Sequence, residues 1–211
     1  MNYRTFSFGV IIPLLLVGCT TTPLSSVDHN KYKTVAISTD VKAPDHHIYR
    51  DATGERARGV GNNFGLVGAL VGGAIGANSE DAGLKRFNAT AVREKIDIKN
   101  LVRSHFVATL KTSQMFQIAQ TNSDAEFHLE IMNYGVGPVN GQQLGGVIQA
   151  KAMLTARNGQ SIWQRMDVAK SKTTGLLEDY EKNPRLWPRV IDEAAEQLAR
   201  QMILYSKTQN Q

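Results

Sequence analysis

The residues able to do chemistry are few and scattered. Asp45-His46-His47, with His29 and Asp40 nearby in sequence, offers nitrogen and oxygen ligands to a metal ion. Adjacent histidines in a polar stretch do not share a face, so the group reads as solvated rather than as a coordination sphere. His105 falls beside the apolar stripe of a helix and His128 on the polar phase of a strand, boundary and surface positions rather than those of a general base. Serine, histidine and aspartate all occur, but no Gly-x-Ser-x-Gly elbow is present. Cys19 is the one cysteine in 211 residues, which excludes an intramolecular disulfide framework and every multi-cysteine metal site. Glycines are dense from Gly59 to Gly76, yet no Gly-Lys-Ser/Thr follows them. After Gly59-Val60-Gly61 a dinucleotide fingerprint needs a third glycine where this chain has Phe64, the next one arrives late at Gly65, and no strand immediately precedes. These patterns predict no enzymatic activity, no metal and no cofactor.

Composition sets the frame for the elements that position these residues. The chain is 42% hydrophobic and 20% charged, enough for a core and too few charges for wholesale disorder. Lys and Arg outnumber Asp and Glu 24 to 19, a formal +5 without the dense basic clusters of a nucleic-acid footprint, so no nucleic acid is expected as a partner.

Strand and helix signals alternate around one insert. Tyr32 to Thr39 is β-branched and apolar enough for a first strand. The polar stretch Asp40 to Arg58 and a glycine-rich segment follow. From Asp97, a plausible N-cap, Ile98, Leu101, Val102, Phe106 and Leu110 recur mostly at three and four residues, the stripe of a helix ending near Thr112 or Ser113. Phe116 to Ala119 is a short strand candidate. Ala125, Phe127, Leu129 and Ile131 alternate with polar neighbours, as do Ile148, Ala150, Ala152, Leu154 and Ala156, which is the period of half-buried strands. Asn158-Gly159 supplies the positive-φ pair of a tight turn, so Ile162 to Val168 returns antiparallel. Trp187, Ile191, Ala194, Leu198, Met202 and Tyr205 mark a long amphipathic C-terminal helix, with Pro184 or Pro188 in its first turn. Trp163 and Trp187 fall on the buried phase of their elements and read as core anchors. The order predicts an α+β fold: a mostly antiparallel sheet of about four to five strands, two amphipathic helices on one face, and a Gly-rich insert.

The N-terminus carries the strongest signal. Met1 to Arg4 is a short n-region with one cation, and Phe6 to Val17 is an apolar run too short to span a hydrocarbon core of ~30 Å, so residues 1–18 read as a signal peptide. Leu16-Val17-Gly18-Cys19 resembles the lipobox of bacterial lipoproteins. That resemblance implies cleavage before Cys19, acylation of its thiol and new amino group, and a lipid bilayer as partner. It also leaves no thiol nucleophile. Thr20 stands where aspartate would retain a lipoprotein of the enteric type, which implies sorting to the outer membrane, facing the periplasm. Loss of residues 1–18 removes Arg4 and lowers the formal charge from +5 to +4. Residues 19–31, rich in Thr, Ser and Pro, form the lipidated N-terminus and flexible tether, and 32–211 the α+β domain, with an insertion at about 41–94.

Two further resemblances concern the domain. Lys111 to Ile118, Asp124 to Leu129 and the hairpin closing on Gly159 to Trp163 resemble, as a pattern over residues 95–205, small α+β envelope lipoproteins. Examples are auxiliary lipoproteins of envelope transport systems, the curli-secretion lipoprotein and lipoprotein activators of penicillin-binding proteins. Within the insert, Gly61, Gly65, Gly68, Gly72 and Gly76 leave a bare ridge on a helix, apt for close association or membrane contact. Phe64 to Ala77 is similar to glycine-zipper segments of envelope lipoproteins and surface antigens. Its 14 residues would rise ~21 Å as a helix, short of a bilayer core. A flexible or internally packed loop is the other reading, since glycine disfavours a helix by ~1 kcal/mol per residue. The chain is thus read as a membrane-anchored, non-enzymatic lipoprotein that binds a protein partner or assembles with itself. The alternatives are a membrane-active export or surface-exclusion component using the insert, and a periplasmic enzyme with a dispersed site.

Overall fold

The structure is a computed structural model and describes residues 23–45, 47–49, 94–140 and 142–204. Cys19, Gly61, Gly65, Gly68, Gly72, Gly76, His46 and Tyr205 lie outside the described residues. Among the described residues six strands form one sheet: β1 (Thr34–Ile37), β2 (Ile48–Tyr49), β3 (Gln117–Ile118), β4 (Ala125–Asn140), β5 (Gln143–Ala156) and β6 (Ser161–Gly175), and three α-helices accompany them: α1 (Ile98–Ser113), α2 (Leu177–Lys182) and α3 (Leu186–Leu204). The class is α+β.

The sheet order is β3-β1-β4-β5-β6, with β2 also on β4. The sheet is mixed, which corrects the expectation of a mostly antiparallel one: β1 pairs parallel with β3 and β4, and β2 parallel with β4. Only β4-β5-β6 is an antiparallel meander. The cause is the connection through α1, because a chain that returns by a helix crossover enters the sheet in its original direction. Hydrophobic period reports which face is buried, not which way a neighbour runs. The supposedly polar loop after β1 also continues along β4. Ile37 is level with Phe127, Lys42 bridges Glu130, and Ile48 is level with Gly135, so β1, Lys42 and β2 follow one another along a single long strand.

Local rules account for the helices. The Asp97 carboxylate accepts from the Asn100 N–H at 3.0 Å, and Gln114 closes α1 in the left-handed region at φ 55°. Ile98, Val102, Phe106 and Leu110 are the buried stripe. In α3 the buried set runs from Trp187 through Val190, Ile191, Leu198 and Met202 to Ile203, with Ala194, Ala195 and Ala199 allowing close approach. Both helices contribute to one core cluster and touch each other, with His105 of α1 2.8 Å from the Asp192 carboxylate of α3. Phe127 is fully buried at its centre, its ring 5.2 Å from Phe106 and 6.0 Å from both Phe116 and Trp163. Trp163 and Trp187 are core residues, as their phase predicts.

Three departures from the sequence reading have simple causes. A register shift between Ile131 and Asn133 moves the buried phase of β4 from odd to even positions, so Tyr134 and Val136 face inward and the strand runs on beyond the alternation. At the β5-β6 turn only Gly159 has positive φ (+84°). Its N–H bonds to the Ala156 carbonyl at 2.8 Å, and a register shift follows, so the loop is a four-residue turn with a bulge rather than one with two positive-φ residues. Finally, the end of the expected tether is folded. Leu24, in a single 3-10 turn (Leu24–Ser26), is 1% exposed and Val27 7%, both in the main core, because Leu and Val at these positions find apolar partners that a Thr/Ser-rich reading overlooks.

Two substitutions test this packing. Leu198→Ala deletes buried methylenes and should cost ~2–5 kcal/mol in urea unfolding. At Gly146 an added Cβ would sit 2.1 Å from the Val190 carbonyl oxygen, so Gly146→Ala should lower the melting temperature clearly. A wild-type melt for either variant would contradict the placement of α3.

Candidate functional site

The structure scatters the residues first considered for chemistry. His29 stacks edge-on against Phe116 with centroids 4.7 Å apart, its Nδ1 buried without a hydrogen-bond partner. His47 lies near Tyr134 and Trp187, at 6.3 and 5.5 Å between centroids. The first histidine therefore sits by Phe116, near the start of β4, and the second beside Tyr134, past its middle, and Asp40 and Asp45 are exposed. No group of three or more His, Cys, Asp or Glu able to hold a metal occurs among the described residues. His105 ties α1 to α3 through Asp192, and His128 stands on the sheet face opposite Phe127 and Leu129.

What the fold does bring together is a charged cleft of about 480 Å³ between β6 and α3, lined by Lys172, Thr173, Arg189, Glu193, Glu196, Gln197 and Arg200. Glu193 is its organiser. One carboxylate oxygen accepts the Thr173 N–H at 2.8 Å, and the other accepts the Thr173 hydroxyl at 2.6 Å and Arg189 Nε at 3.1 Å. Burial pushes the Glu193 pKa up, but the Thr173 and Arg189 bonds outweigh it and hold the carboxyl below its usual range. One turn on, Arg200 pairs with Glu196 at 2.8 Å. Thr173 lies where the β5-β6 register breaks, and the Ser171 hydroxyl fills that irregularity, accepting the Gly146 N–H at 2.9 Å and donating to the Thr173 carbonyl at 2.6 Å. The cleft is thus a clamp holding α3 to an irregular edge strand. Its carboxylates are occupied by arginine and threonine, an arrangement suited to structure rather than proton transfer.

The second exposed feature is the sheet face of opposite phase to Ala150 and Ala152. Met132 at the β4 bulge and Met166 on β6 are 38% and 43% exposed. Between them Asn133 donates to the buried Gln149 side chain at 3.0 Å, and Gln149 in turn reaches the Met166 sulfur at 3.5 Å. Flexible thioethers around a fixed amide pair make an adaptable contact surface. Sequence reading missed this face because its apolar residues occupy the polar phase of their strands. It missed the clamp because Thr173 and Glu193 are 20 residues apart and share no periodic pattern. Among the described residues β6 is an edge strand, and the exposed Lys172 and the irregularity at Ser171 are devices that oppose edge pairing. No helix among the described residues is long and apolar enough to cross a membrane.

No protein-family model and no curated protein matches the chain. Among solved structures, a Xanthomonas campestris protein of the DUF330 family matches at 14% identity and TM-score 0.35, over 49% of this chain and 55% of its own. A dodecameric PelC from Paraburkholderia phytofirmans matches at 12% identity and TM-score 0.38, over 82% and 86%. A minor lipoprotein from Acinetobacter baumannii matches at 18% identity and TM-score 0.31, over 50% and 85%. The chain spans about half the length of the Xanthomonas protein. Likeness at these scores carries no argument about function.

The clamp predicts a pH dependence. A carboxylate whose folded pKa is depressed stabilises the fold above the ordinary value of ~4.3, and that contribution is lost as pH falls through the folded pKa. Glu193→Gln should therefore flatten the decline of urea midpoints below pH ~4.5. An acid limb unchanged from the parent protein would remove Glu193 from the balance.

Proposed function

We propose that this chain is a non-enzymatic lipoprotein of the bacterial envelope, held in the outer membrane by acyl chains on Cys19. In this reading its α+β domain faces the periplasm and binds a protein partner or further copies of itself. One observation carries the proposal: the only cysteine of the chain stands at the cleavage position of Leu16-Val17-Gly18-Cys19, directly after an apolar run of signal-peptide length. Each buried methylene contributes ~0.8 kcal/mol, so one chain anchors marginally and two or more anchor stably. The exposed methionine face supports the binding role. Gly61, Gly65, Gly68, Gly72 and Gly76 are assigned to association or membrane contact.

Cys19→Ala should release the protein from membranes or leave the signal uncleaved. Intact-mass measurement of the mature protein should show an acylated N-terminal cysteine, and a free thiol there would end the proposal. On the domain, Met132→Lys with Met166→Lys should change stability by no more than ~0.5 kcal/mol per site, as exposed positions do. The same pair should reduce cross-linked partner or multimer yield in cells. Undiminished cross-linking would move the contact surface elsewhere.

A further inference from the structure

We infer that the end of the domain where β1 and β4 begin is a lipid-headgroup contact surface, an inference that rests on the acylation of Cys19 proposed above. Pro23, the first described residue, follows Cys19 by four positions, a reach of at most ~14 Å even fully extended. Residues 23–37 are tied into the fold. Leu24 and Val27 are buried in the main core, and the Leu24 turn touches α3. The Asp28 carboxylate holds the next turn, accepting the Asn30 and Lys31 N–H groups at 3.0 and 3.2 Å, and His29 is stacked on Phe116. So short a leash leaves no room for a domain floating free of the bilayer; it sets one particular end against the surface.

That end is defined by hydrogen bonds between neighbouring segments. The Lys33 carbonyl accepts the Gln117 N–H at 2.9 Å, and Asp124 binds the Thr34 N–H and hydroxyl at 2.9 and 2.8 Å. The Arg157 N–H reaches the Asp124 carbonyl at 3.2 Å while its guanidinium donates to the Ser123 carbonyl. Lys111 is in the last turn of α1, just before Phe116. Lys31, Lys33, Lys111 and Arg157 are all exposed here. Asp28 and Asp124 keep their charge while accepting bonds from the turn and from Thr34, so it is the excess of these four cations over the two carboxylates that presents net positive charge to anionic headgroups. From it β4 and β5 lead away, and the hairpin at Asn140–Gln143 is roughly 45 Å distant along the strands.

The test uses full-length acylated protein in vesicles of phosphatidylethanolamine and phosphatidylglycerol doped with a headgroup spin label. A thiol-reactive fluorophore is placed at Gln160→Cys, in the exposed β5-β6 turn at the anchored end, or at Asn140→Cys at the far hairpin. Quenching should be several-fold stronger at position 160, and a flexible Gly/Ser spacer inserted between Thr22 and Pro23 should abolish the difference. Equal quenching in the parent protein, or stronger quenching at 140, would overturn the orientation. Lys31→Glu with Lys33→Glu, and separately Lys111→Glu, should reduce quenching at 160 by about half, and undiminished quenching in all of them would overturn the basic headgroup contact. Mass analysis of the same samples separates the two readings. Acylated Cys19 with the predicted pattern absent defeats this inference alone, whereas unmodified Cys19 defeats the anchored-lipoprotein proposal and this inference with it.

Discussion

Phe127 is the point at which every layer of this protein meets. It is fully buried on the central strand β4, pairs with Ile37 of β1 on one side and Leu154 of β5 on the other, and packs its ring against Phe106 of α1, Phe116 ahead of β3 and Trp163 of β6. The interplanar angles of 66°, 80° and 81° are edge-to-face arrangements, which favour aromatic pairs beyond the area they bury. A parallel half and an antiparallel half of the sheet are thereby joined through one side chain. The strand order follows from what must touch it.

Away from that centre the fold relies on close approach and on a few polar ties. Gly146 lets the α3 backbone lie directly on β5, and the Glu193 bonds to Thr173 hold the same helix over the irregular part of β6. Near the other end of the sheet, Asp124 bonds Thr34 through both backbone and side chain, and these bonds draw its carboxyl below the ordinary carboxylate range. The Tyr180 hydroxyl donates to the Leu144 carbonyl at 2.9 Å, and burial, with Asp179 and Glu193 nearby, raises its pKa. Each tie is a small polar contribution at the margin of a large apolar core.

For function, the consequence is a division of labour between chain ends and domain faces. The proposed anchor lies immediately before a folded core, Lys31, Lys33, Lys111 and Arg157 stand at the same end, and the exposed methionines lie on a sheet face less than half a strand-length from it. Anchored as proposed, the domain would present a fixed surface at a fixed height above a bilayer. Pre-orientation of this kind reduces the rotational freedom lost when a partner binds.

Sequence alone determined the local and the chemical. Asp97 as N-cap, the α1 and α3 stripes, the alternation through Phe127 and the resemblance of Leu16–Cys19 to a lipobox are all readable because each depends on residues within a few positions of one another. Chain direction in the sheet, the phase switch at Met132, the burial of Leu24, the succession of β1, Lys42 and β2 along β4 and the Thr173–Glu193 clamp were decided only in the tertiary structure. They depend on which distant segments are brought side by side, and a periodicity of two or 3.6 residues records the face a side chain must bury without recording what buries it.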